Sequence, residues 1–162
     1  HIEVIHSELT GGADKVEFSY RSSIIGATQG EREQNLFDQL AERTGDEIRR
    51  GMTLVGPHKD DVTISIAGRR VRTFGSRGQV RSIVLSMKLA ELSAARQKGV
   101  VPIFLLDDLS SELDRDRTAR LVRILRDLDA QVVITTTAPE HLDGLPQGDT
   151  KTIRVEAGNL LA

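Results

Sequence analysis

With 162 residues and a net charge of −2, the chain has material for one domain or parts of two. It has no overall pull toward nucleic acid, so a DNA-facing patch must be local. It has no cysteine, which excludes disulfides and thiolate metal sites and fits a cytoplasmic protein.

Residues 2–5 read as a short strand, and Val16, Phe18 and Tyr20, alternating with Glu17 and Ser19, read as a second. Thr10-Gly11-Gly12-Ala13-Asp14 between them is turn material, so a hairpin is expected. A helix is expected over 31–49, with Leu36, Phe37, Leu40 and Ala41 as the stripe that packs on a sheet. Residues 52–55 and 62–66 read as strands around Gly56-Pro57-His58-Lys59-Asp60-Asp61. Ala67-Gly68 turns the second of these back into Arg69–Thr73, a further hairpin.

The longest helix is expected over 79–98. Its apolar residues, from Val80 and Ile83 to Leu92, cover more than one face and predict near-complete burial before a stop at Gly99. Residues 100–106 form a continuous apolar run, the pattern of a parallel strand buried on both faces, with Pro102 tolerated near its start. Asp114 is placed to cap a helix over 115–128, whose Leu121, Ile124, Leu125 and Leu128 point inward while five arginines line the rest. A buried strand follows at 131–136. Strand, helix and strand in this order make a βαβ unit. Residues 151–156 form a late strand before a turn at Gly158-Asn159.

Four places could carry chemistry. Asp107-Asp108 ends the apolar strand, where ligands collect in open α/β sheets. A carboxylate there suits Mg²⁺, and its neighbour could orient an attacking water. The same pair also fits an ordinary acidic turn. Ser76-Arg77-Gly78-Gln79 places small residues and a hydroxyl at a helix N-terminus, a site for an anion or simply a cap. Ser111-Glu112-Leu113-Asp114 is at least a helix N-cap, and Thr135-Thr136-Thr137 lies on the same ligand edge, where threonine also suits strands for its own sake. His58 is a polar contact to DNA or nucleotide, or part of a polar loop. His1, His6, His58 and His141 have no metal-ligand spacing, and His141 reads as surface. With no tryptophan and one tyrosine there is little from which to build a base-stacking platform. No run nears the ~18 apolar residues of a membrane span, so no membrane partner is expected. The start lacks the basic and apolar regions of a signal peptide and has no methionine, so the chain reads as beginning mid-protein.

The series is more specific than its parts. A Ser-x-Gly-Gln turn, a long helix, an apolar strand with two aspartates, a Ser-x-Leu-Asp turn, a helix, and a strand ending in three threonines resembles the ABC-type ATPase heads of the SMC-like group. Within that group it resembles the RecF family: Gly56-Pro57-His58-Lys59-Asp60-Asp61 is similar to a family element, Phe74–Arg81 to the signature, and Leu105–Asp108 with Ser111–Asp114 to the Walker B strand and D-loop. The resemblance covers residues 50–162 well and 1–49 loosely.

It implies an α/β fold, the C-terminal part of an ABC-type head with a parallel sheet and flanking helices, joined to part of a signature-bearing α+β lobe. Residues 1–97 would belong to that lobe II and 98–162 to the nucleotide lobe I. By position, Asp107 would hold Mg²⁺ through water and Asp108 would polarise the attacking water. Ser76, Gly78 and Gln79 would meet the γ-phosphate of ATP bound to a second subunit, and Asp114 would lie at the dimer interface. Thr136 or Thr137 would stand at the switch position, as hydrogen-bond donors only. His58, Lys59, Arg69 and Arg70 are the expected DNA contacts. The implied partners are gapped DNA with single-/double-strand junctions, an ATP-dependent second copy, recombination mediator proteins and the chain's own N-terminal P-loop half. No Gly-x-x-x-x-Gly-Lys-Ser/Thr occurs in these residues, so ATP hydrolysis requires that half. The alternatives are the head of another SMC-like ATPase or a non-catalytic DNA-binding or interaction module.

Overall fold

A computed structural model describes residues 1–109, 113–137 and 150–161. In chain order the elements are α1 (Ile2–Thr10), β1 (Val16–Arg21), α2 (Gln29–Arg50), β2 (Asp61–Ile66), β3 (Arg69–Arg70), α3 (Val71–Phe74), α4 (Arg77–Gln97), β4 (Ile103–Leu106), α5 (Arg115–Asp127), β5 (Gln131–Ile134), β6 (Arg154–Glu156) and β7 (Asn159–Leu161). Contacts divide them into two compact units, His1–Asp14 with Arg77–Ala162, and Lys15–Ser76.

The first unit is built on the parallel pair β4–β5, registered from Ile103 opposite Gln131 to Leu106 opposite Ile134, with α5 as the crossover. Leu121, Ile124 and Leu125 of α5 meet Leu89 and Leu92 of α4, Phe104 of β4, and Ile5 and Leu9 of α1 in one buried cluster. The segment expected as a strand at 2–5 is therefore helical. Ile2, Ile5 and Leu9 recur at helical spacing, which four residues of apparent alternation could not reveal. Gly11 ends α1 in the left-handed region at φ 66°, its N–H and that of Gly12 closing onto the carbonyls of Glu8 and Ser7. The hairpin expected with 15–20 consequently does not form.

Two expected burials are only half realised. On β4, Phe104 is buried but Ile103 and Leu105 are 58% and 72% exposed. On α4, Ile83, Leu89 and Leu92 are buried while Val80, Val84 and Met87 face outward. Between them lies an apolar groove of about 770 Å³, lined by Val80, Val84, Leu85, Ile103 and Leu105, with Asp107 in its wall. Beyond β5, β6 and β7 form a separate antiparallel hairpin, turning at Ala157-Gly158 rather than Gly158-Asn159.

The second unit is the antiparallel sheet β1-β2-β3, with Val16 opposite Ile66 and Arg21 opposite Asp61. The expected hairpin at Ala67-Gly68 is present, both residues having positive φ as a two-residue turn requires, but β3 lasts two residues before α3. Residues 52–55 are not a strand. After α2 stops at Gly51, the Leu54 N–H bonds the Glu47 carboxylate at 2.7 Å, so a helix side chain takes the place of a strand partner. Helix α2 opens with a reciprocal capping box between Thr28 and Glu31. None of its residues is buried, and Phe37 is 70% exposed, in contrast to the expected packing on a sheet. The buried residues of this unit are few, namely Val16, Ile24, Val55 and Val71 with Gly56.

Candidate functional site

The parallel register sets the geometry at the strand tips. Because Leu106 pairs with Ile134, the next residues, Asp107 and Thr135, emerge side by side. The Thr135 N–H donates to the Leu106 carbonyl at 2.9 Å, and the Thr135 carbonyl accepts from the Leu109 N–H at 3.0 Å. Its hydroxyl donates to Asp107 Oδ1 and accepts from the Asp108 N–H at 2.9 Å. Asp108 takes φ 50°, in the left-handed region, at the point where the strand breaks off. An aspartate tolerates that conformation better than most residues, at a cost on the order of 1 kcal/mol or more. Fully buried Leu109 anchors the far side of the turn. Both carboxylates are exposed. Thr136 is half-buried and Thr137 exposed, just beyond β5.

Asp114 caps α5 as expected, Oδ1 accepting from the Arg117 N–H at 2.9 Å. The Arg117 guanidinium returns to Asp114 Oδ2 at 3.6 Å and donates to the buried Ser82 hydroxyl of α4 at 3.2 Å. Ser82 belongs to a buried polar seam. The Ser86 hydroxyl lies 2.7 Å from the Ser82 carbonyl and 3.1 Å from His6 Nδ1. Burial lowers the His6 pKa below the usual histidine value, opposed by the Asp14 charge and reinforced by Arg117. Asp14 also accepts from Gln79 Nε2 at 3.0 Å. A Cβ on Gly78 would meet only Arg117 Nη1, at an ordinary 3.7 Å. Packing in this unit therefore does not demand glycine there.

Ser76, exposed, ends the second unit. In that unit the polar loop is built around Asp60. Its carboxylate accepts from the Ser23 N–H at 2.6 Å, from the Ser23 hydroxyl at 2.7 Å and from the Tyr20 hydroxyl. These bonds, the Ser23 N–H first, hold the Asp60 pKa below the ordinary carboxylate value and push that of Tyr20 up. Gly56, at φ 129°, begins the one-turn helix Pro57–Lys59, and the His58 ring sits 2.9 Å from the Thr53 carbonyl. His58 and Lys59 are exposed at one end of β2, and Arg69 and Arg70 are exposed at the other. At about 3.3 Å per residue the two pairs lie roughly 16 Å apart, so they do not form one cluster.

Sequence reasoning placed Thr135 on the ligand edge with Thr136 and Thr137 but gave a role only to the latter two, whereas equal strand lengths from Ile103 and Gln131 set Thr135 beside Asp107. Arg117, Ser82, Ser86 and His6 had no local signal, because their bonds join residues 35 to 80 apart in the chain. Ser111, Glu112 and His141 lie outside the described residues.

No family model matches the chain. Curated relatives do. The DNA replication and repair protein RecF of Geotalea daltonii is 40% identical over 159 residues, covering 96% of this chain and 44% of that protein. RecF of Geobacter sulfurreducens is 39% identical over 158 residues, covering 96% of this chain and 40% of that protein. Over 96% of its length this chain is similar to RecF. It matches the C-terminal part of RecF and spans less than half the length of these relatives. Among solved structures it is similar to the recombination mediator protein RecF with ATPrS in the RecFOR pathway, at TM-score 0.65 and 26% identity over 99% of this chain and 44% of that one. It is similar to RecF with ATP at TM-score 0.64. The α/β fold expected from the signature and Walker B segments is thus that of RecF.

Proposed function

We propose that this chain forms the signature- and carboxylate-bearing portion of an ATP-dependent DNA clamp acting in DNA replication and recombinational repair. The observation that carries the reading is the pair Asp107-Asp108, exposed at the carboxyl end of a parallel strand and fixed by the neighbouring strand. The relatives and the ATP-bound RecF structures support it.

Asp107 and the Thr135 hydroxyl offer oxygen donors, the type that suits Mg²⁺. By the resemblance, Asp107 would hold the ion through its waters. Bound there, Mg²⁺ would neutralise charge on the β- and γ-phosphates. Asp108 would orient the attacking water and accept its proton. Ser76, Gly78 and Gln79 would face the γ-phosphate of ATP held by a second copy, with the N-terminal end of α4 adding its dipole. Asp114 would lie at that dimer interface, and Thr136 or Thr137 would donate a hydrogen bond to the γ-phosphate. In this reading residues 1–97 belong to lobe II and 98–162 to lobe I. The exposed apolar groove between α4 and β4 is the surface on which the P-loop half would pack. His58, Lys59, Arg69 and Arg70 would contact DNA at gapped single-/double-strand junctions, with recombination mediator proteins as partners in the cytoplasm.

The test is to co-express this chain with its P-loop segment and measure ATP hydrolysis with and without DNA. Activity should need both halves and fall about 100-fold or more in Asp108→Asn. Full activity in that variant would remove the assigned role.

A second reading, a non-catalytic DNA-binding module, is favoured by the exposed Arg69 and Arg70 on edge strand β3. DNA binding would then persist without ATP and weaken steeply with salt. Salt-insensitive binding, or none, would dismiss it.

A further inference from the structure

We propose that Thr135 is a positioning residue for hydrolysis, one that holds the Asp107 carboxylate and the Asp108 backbone at the tip of β4 through a single hydroxyl. The inference rests on the ATPase reading above.

A threonine hydroxyl has one proton to give and lone pairs to accept with. At Thr135 both capacities are used on the two acids. The proton goes to Asp107 Oδ1, and a lone pair takes the Asp108 N–H at 2.9 Å. The backbone of the same residue is held on both sides, by the Leu106 carbonyl at 2.9 Å and the Leu109 N–H at 3.0 Å. Thr135 is therefore anchored independently of the bonds its side chain makes. One oxygen of Asp107 is engaged and its carboxyl rotation is restrained. The peptide entering Asp108 is pinned where the chain turns into its left-handed conformation. Neither acid has its orientation set by burial, because both are exposed. The neighbouring strand supplies what burial does not.

The energetic consequence differs from that of a core contact. Without the hydroxyl, water can satisfy both Asp107 Oδ1 and the Asp108 N–H, so the fold should hold. What is lost is geometry, and a misplacement near 1 Å can cost on the order of 100-fold in rate. Valine keeps the β-branched shape and deletes the hydroxyl, whereas serine keeps the hydroxyl and deletes a methyl.

The experiment uses the full-length protein including its P-loop segment, and measures kcat and KM for ATP hydrolysis. In Thr135→Val kcat should fall roughly 10- to 100-fold, with KM for ATP and the melting temperature close to wild type. Thr135→Ser should stay within about threefold of wild type, since the same donor and acceptor remain. If the valine variant fails to fold, Thr135→Ala carries the same expectation. Wild-type kcat in the hydroxyl deletions would overturn the proposal. So would a serine variant as slow as the valine one, because a hydroxyl that matters must rescue. Asp108→Asn, measured alongside, separates this inference from its parent. If that variant is inactive while Thr135→Val is normal, only the positioning role fails. If it keeps full activity, the hydrolytic reading itself fails.

Discussion

The two units hold their polar residues in opposite ways. In the first, the candidate residues are mounted on a buried frame by bonds that span the chain: Thr135 to Asp107, Arg117 to Ser82, Gln79 to Asp14. Leucines from α1, α4 and α5 fill the space beneath. In the second, few residues are buried, no α2 residue is among them, and the Gly56–Asp61 loop is held by the exposed Asp60 carboxylate. The proposed chemistry, which must place two carboxylates, needs the rigid frame. The proposed DNA contact would work through charge and tolerate a lighter one.

The sharpest way to break this comparison is to open the frame. Leu121→Ala, at a fully buried position of the first cluster, should cost about 2–5 kcal/mol in urea unfolding. A cost below about 1 kcal/mol would mean that the frame is not what carries the unit.

A second test uses acid. The His6 pKa is lowered in the folded state by burial, so the unfolded chain binds the proton first. Stability should therefore be complete above the ordinary histidine pKa of about 6.5 and decline as pH falls below it. His6→Gln should flatten that decline between about pH 7 and pH 5. An unchanged slope would assign it to other groups. Asp60 has the opposite origin and a lower window. Its folded pKa is depressed by the Ser23 and Tyr20 bonds, so its contribution is present above the ordinary value of 3.8 and lost as pH falls through the folded value. Asp60→Asn should therefore remove an acid loss confined to below about pH 4.

The smallest expected effect on stability is at Gly78. Alanine there meets only Arg117, at an ordinary distance, so the melting temperature should not move, while ATP-dependent association of the full-length protein should weaken. A large drop in melting temperature would show that packing within the fold requires that glycine.

How much of this was legible in the sequence depends on the distance over which each feature is decided. The helices over 31–49, 79–98 and 115–128 and the strands over 15–20, 62–66 and 131–136 could be read because their periodicity is local, and Asp114 because a cap acts within three residues. The 2–5 segment was misread because helix and strand patterns are hard to separate over four residues. Residues 52–55 were misread because their backbone partner is a glutamate side chain.

The sequence alone determined the strand–helix–strand order of β4, α5 and β5, the acidic tip of β4 and the glycine-containing turn before α4, since each is encoded within a few neighbouring residues. Tertiary structure decided which hydroxyl meets those acids, which helix face is covered, and which polar side chains are sealed beneath α4. These depend on strand register and on contacts between residues far apart in the chain, and a linear pattern carries no record of either.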